Sequence, residues 1–205
     1  MFSDPDHIHR TPPKVITPPA AEPNSLAEVK AHMRRSSGTS EDDLITMYIK
    51  SCRKTLERML GMAFLNTVFE ERLDAFPCSS DEPVSPYISD VSAIGFLKYI
   101  DTTGILTTLV ENTDFVVDYS SKRARIVPAY GHIWPVTRLQ PNAVQMQYTA
   151  GHGTDPNALD EDLKTMHLLA VTMAYTERLP ISALAGNDVP AGFGQIVSNF
   201  TNWSF

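Results

Sequence analysis

The sequence predicts an α+β fold: a small helical bundle body, an antiparallel β-sheet with hairpins inserted into it, and extended N- and C-terminal arms. Three observations predict it. Within residues 41–64 the apolar positions Ile45, Tyr48, Cys52, Leu56, Met59 and Ala63 recur at steps of three and four, the spacing of one helix face. After residue 66 the period shortens to two, and short apolar runs follow one another between polar turns. After Asn157 the helical period returns, so the strands lie between helices.

Residues 1–23 hold the pairs Pro12-Pro13 and Pro18-Pro19, which exclude helix and favour extended backbone. They read as an arm, either a disordered tail or a segment lying along a neighbouring subunit. His7 and His9 have no cysteine or third histidine nearby and so make no metal site. Ser25 and Glu28 have the form of a capping box, opening a first helix over about 25–34. The linker SSGTS leads to Ser40 and Asp43, a second box opening the helix of about 41–64, and the two helices are expected to pack as a hairpin. Lys50, Arg53, Lys54, Glu57 and Arg58 fall mostly off the apolar face. Gly61 lowers helix propensity, and Asn66 is the expected stop.

The insertion spans about 67–150. Residues 67–75 alternate, with a poor hydrophobic contrast between the two faces. SAIGFLKYID, DTTG and ILTTLV predict a hairpin; FVVDY and Arg123 to Val127 predict a second, and Ala143 to Thr149 a final strand. Between them, Tyr130, Trp134 and Arg138 stand in a proline-punctuated loop. These residue types are enriched at contact hot spots, though Trp134 equally suits a lid over the apolar face of the sheet. The third helix is expected over 158–177, capped by Asn157 with Asp160, with Leu163, Met166, Ala170, Met173 and Ala174 on one face. His167 there reads as a core or interface histidine. Residues 181–205 form a C-terminal segment whose Phe193, Phe200, Trp203 and Phe205 need a surface, on a neighbour, another protein or the chain itself.

Composition narrows the function. A formal charge of -7 argues against a duplex-gripping surface, which needs clustered lysine and arginine. Cys52 and Cys78 make neither a disulfide framework nor a metal spacing and read as free thiols of a reducing compartment. No long apolar run spans a membrane, and no secretion signal is read at the N-terminus. The sequence holds no phosphate loop, HExxH, Cys-x-x-Cys or nucleophile elbow. Asp160, Glu161 and Asp162 point in different directions round a helix, and His132 lacks a supporting acid or nucleophile, so no catalytic, cofactor or metal residue is assigned.

The order of segments carries a resemblance. SLAEVKAHMR, EDDLITMYIKSCRKTLERMLGMAF, ERLDAFP, TDFVVDYSSKRARIVPAYGHIWP, PNAVQMQYTAGHG, LKTMHLLAVTMAYTER and VPAGFGQIVS together resemble the head-tail connector (adaptor) proteins of long-tailed bacteriophages and prophages. The resemblance spans residues 24–198 and is most specific in RIVPAYG…WP and PNAVQMQYTAG. It implies a structural, non-enzymatic protein of the virion neck, made in the host bacterial cytoplasm. Residues 24–180 would be the connector body, assembling as a dodecameric ring between the portal protein and a tail or neck stopper protein. DNA would pass through the lumen without sequence-specific binding, and an acidic lining would let it slide. Lys122, Arg123, Arg125 and Arg138 are then expected at subunit or portal contacts, as are Tyr130, Trp134 and the C-terminal aromatics. The competing reading is a cytoplasmic enzyme or DNA-processing accessory protein with an unrecognised site.

Overall fold

The structure, a computed structural model, describes residues 8–35, 38–79 and 82–177. These divide between two compact units, a sheet unit drawn from Met1–Pro18 and Thr67–Gly151 and a helical unit drawn from Pro19–Asn66 and His152–Phe205. The architecture is α+β, with the antiparallel strands inserted between helices in the chain.

The helical unit packs α1 (Leu26–His32), α2 (Asp42–Leu60) and α3 (Glu161–Glu177). Ile45, Ile49, Cys52 and Leu56 of α2 are buried at steps of four, three and four, together with Leu163, Met166, Ala170, Val171 and Ala174 of α3 and Val29 of α1. Each fully buried Val, Leu, Ile or Met side chain among these contributes about 1.5–3 kcal/mol. Tyr48 and Tyr175 close one end edge to face, their ring centroids 6.5 Å apart.

The helix ends depart from expectation in three places. The Ser25 box forms as expected, Ser25 Oγ accepting from Glu28 N while Glu28 Oε2 accepts from Ser25 N at 2.6 Å. The Ser40 box does not. Glu41 occupies the cap position of α2 with no side-chain cap bond, and its carboxylate instead accepts from Tyr175 Oη at 2.7 Å and pairs with Arg35. Asp42 in the first turn is likewise held by Lys30 at 2.6 Å. At its other end α2 stops at Leu60, before Asn66, because Gly61 takes the left-handed conformation at φ 65° and returns its N–H to Glu57 O. α3 begins at Glu161 and not 158. Asp155 caps a separate 3-10 turn over Pro156–Ala158, extended Leu159 breaks the run, and Asp160 Oδ1 accepts from Asp162 N at 2.8 Å to start the helix proper.

The sheet unit contains β1 (Lys14–Thr17), β2 (Thr67–Leu73), β3 (Val91–Ile100), β4 (Leu106–Leu109), β5 (Phe115–Asp118), β6 (Arg125–Pro128) and β7 (Val144–Ala150). Five form one antiparallel sheet in the order β1-β2-β7-β3-β4, while β5 and β6 form a separate hairpin. The central pair sets the core. Phe69, Glu71 and Leu73 of β2 face inward opposite Tyr148, Met146 and Val144 of β7, giving the period-2 burial of both strands. The predicted N-terminal arm is thus in part a sheet strand of its own chain: β1 pairs with β2, and Thr11 N donates to Arg72 O at 2.9 Å.

Candidate interaction surfaces

The loop from 129 to 142 is built from the sheet outward. Ala129 N donates to Asp114 O at 3.0 Å, His132 N to Ala129 O at 2.8 Å and Arg138 N to Ile100 O at 2.9 Å, so three points of its backbone are fixed. Trp134 anchors it. Its ring stacks on Phe76 with centroids 4.7 Å apart and planes at 1°, and Phe76 in turn meets Tyr99 edge to face. With 7% exposure, Trp134 is a lid on the sheet core, and what the loop presents outward is Tyr130, fully exposed, with Ile133, Val136 and Leu139. Arg138 is also exposed, its guanidinium lying over Gly104 in the turn before β4.

The structure thus separates the predicted contact residues. Tyr130 and Arg138 lie at the surface, Trp134 lies beneath it, and Phe193, Phe200, Trp203 and Phe205 lie outside the described residues, as does His7. Ile133, Val136 and Leu139 were not singled out from the sequence. A signal existed: apolar residues every third position in a proline-bounded segment with no helix or strand to bury them.

The buried polar groups are held by neighbours, except that Glu71 Oε2 accepts no hydrogen bond. Glu71 has no exposed surface; its Oε1 accepts from Tyr148 Oη and from Tyr87 N at 2.8 Å, and Arg10 Nη1 stands 3.6 Å from Oε2. Burial raises its pKa, outweighing those donors and the nearby arginine, and burial also raises the Tyr148 phenol. Arg10 therefore ties the arm to the sheet through a carboxylate that no reactant reaches. Around it, Ile8, His9, Pro77 and Glu82 line part of a cleft of about 480 Å³. In the helical unit His167 Nε2 bonds Ile49 O at 2.9 Å and Nδ1 faces Asn24 Nδ2 at 3.0 Å, while Asn24 also donates to Lys164 O. Asn24 can only donate through that nitrogen, so Nδ1 accepts and the proton sits on Nε2. Burial holds His167 below the usual histidine range.

Arg53, expected on the polar face of α2, is buried; Glu22 and Glu57 accept from its guanidinium at 2.7 Å each. The sequence pattern missed it because its partner Glu22 comes from the segment before α1. Cys52 is a buried free thiol that burial pushes up to about 12, and Cys78 is free and exposed. Among the described residues no group of three or more His, Cys, Asp or Glu side chains is placed to hold a metal, and no helix is long and apolar enough to cross a membrane.

No family model matches the sequence, and no curated protein matches it. Solved structures do. A chain in the neck of an empty GTA particle computed with C6 symmetry superposes with a TM-score of 0.73 at 21% identity, over 93% of this chain and 95% of that one. A chain in the virion of a native gene transfer agent (GTA) particle gives 0.74 at 20% identity, over 92% and 94%. A third, in the neck of a native GTA particle computed with C12 symmetry, gives 0.68 at 18%, over 93% and 94%. The fold is shared almost end to end.

Proposed function

We propose that the chain is a structural, non-catalytic head-tail connector of a phage-like particle. Its copies close into a dodecameric ring in the neck, between the portal protein and a tail or stopper protein, and DNA passes through the lumen without sequence-specific contact. The observation that carries this reading is the near-complete, single-fold likeness to chains of neck particles, two of them computed with C6 and C12 symmetry. A net charge of -7 supports the channel role, because a negative wall repels phosphate where lysines would trap it. The outward apolar side chains of the 129–142 loop support assembly, being surface that an isolated subunit has no reason to carry. The C-terminal residues Phe193, Phe200, Trp203 and Phe205 are assigned to contacts with the portal or tail, as are Tyr130 and Arg138.

Truncation tests the assignment. A chain lacking residues 199–205 is expected to keep its circular dichroism spectrum and melting temperature while tailed particles fall and unjoined heads accumulate in electron micrographs. Normal particle yield from the truncated chain would remove the terminal aromatics from the interface.

A further inference from the structure

The five-stranded sheet ends in two open edges, β1 and β4, with no strand outside either among the described residues. An open edge presents unpaired backbone donors and acceptors and is a template for another strand. The two edges differ in charge. β1 carries the exposed Lys14 and no carboxylate, whereas the turns at the two ends of β4 carry Asp101, Glu111 and Asp114 and no lysine or arginine. Hydrogen bonds keep Asp101 below the usual carboxylate range, first from the hydroxyl of Thr103. Each edge also carries exposed apolar side chains, Val15 and Ile16 on one, Ile105 and Leu106 on the other. Two cations lie near the acidic edge: Arg138 over the turn, and Lys98 of β3 over the Phe96 ring at 4.3 Å.

From this complementarity we infer that subunits join by continuing the sheet, the β4 edge of one copy receiving the β1 edge of the next. The inference rests on the ring reading and supplies its joint. Strand direction follows from topology: every neighbouring pair in β1-β2-β7-β3-β4 is antiparallel, so β1 and β4 run the same way. Copies related by a small rotation keep that direction, and the joint is therefore a parallel β4·β1 pair. The contact is heterologous, as a ring requires. The alternatives that would make closed dimers, β4 on β4 or β1 on β1, set like charge against like charge, a penalty that works against them.

Cysteine cross-linking in assembled particles tests this. The full chain carrying Cys78→Ser and Ile16→Cys is combined in turn with Leu106→Cys, Thr107→Cys and Thr108→Cys, which covers register offsets. It is expressed in place of the native chain in the cells that assemble the particles. Cys52 stays out of exchange because it is buried. After oxidation at least one pair is expected to give a ladder extending beyond the dimer, and each single-cysteine chain to run as monomer. Neck rings visible by electron microscopy with all three pairs running as monomer would overturn the sheet joint and leave the ring standing. Particles whose necks hold no ring of this chain would overturn both.

Discussion

At the scale of single residues, Glu71 shows how burial sets behaviour. The folded chain holds its proton to higher pH than the unfolded chain, whose glutamate titrates near 4.5. The folded state therefore binds more protons above pH 4.5, and this group's contribution to stability declines as pH rises through that window toward the raised folded value. Glu71→Gln, which keeps an acceptor for Tyr87 N and Tyr148 Oη, is expected to flatten that decline in thermal melts taken from pH 4.5 to 7. An unchanged slope would show that Glu71 is not the titrating group. Trp134 and Tyr130 make a second contrast. Trp134→Ala removes the ring stacked on Phe76 and is expected to cost about 3–5 kcal/mol in denaturant unfolding, the range for large aromatic truncations in a core. Tyr130→Ala, at a fully exposed position, is expected to stay within about 0.5 kcal/mol and to show its effect in assembly only.

Among the elements, the helix starts carry the most direct local test. Ser25→Ala breaks the observed box and is expected to cost about 1 kcal/mol, whereas Ser40→Ala leaves no bond unmade and is expected to be near neutral. Equal losses in the two unfolding midpoints would refute the difference between the caps. The same elements show why the sequence was legible where it was. Periodicity located α2, α3, both hairpins and the last strand, because their apolar spacing is a local property of the chain. It misjudged what depends on distant partners: Glu41 and Asp42 are taken by Tyr175 and Lys30, and Arg53 is buried with Glu22 from before α1, as well as Glu57, on its guanidinium. Neither reading of the arm, a disordered tail or a segment along a neighbouring subunit, places it in its own sheet, for a similar reason: the ladder that receives β1 lies some fifty residues later in the chain. Residue type marks the loop at 129–142 as a candidate contact region, and the pattern of types gives no way to tell that Trp134 turns in while Leu139 turns out.

For the whole molecule, fold, charge and surface all bear on the proposed assembly. On the proposed reading, the charge difference between the two sheet edges, the acidic chain and the outward apolar loops each have a place in a ring through which DNA slides. The proposed edge pairing is electrostatic in part, so ring closure is expected to weaken as salt rises, the charges of exposed Lys14 and half-buried Glu111 being screened over about 8 Å at physiological ionic strength. The most direct measurement is an electron-microscopy reconstruction of the particle neck with this chain tagged at an exposed loop. The account predicts a closed ring of copies between portal and tail, with density for the tag repeated once per subunit around a channel wide enough for duplex DNA. Tag density confined to the capsid shell or the tail tube, or absent from purified particles, would contradict it.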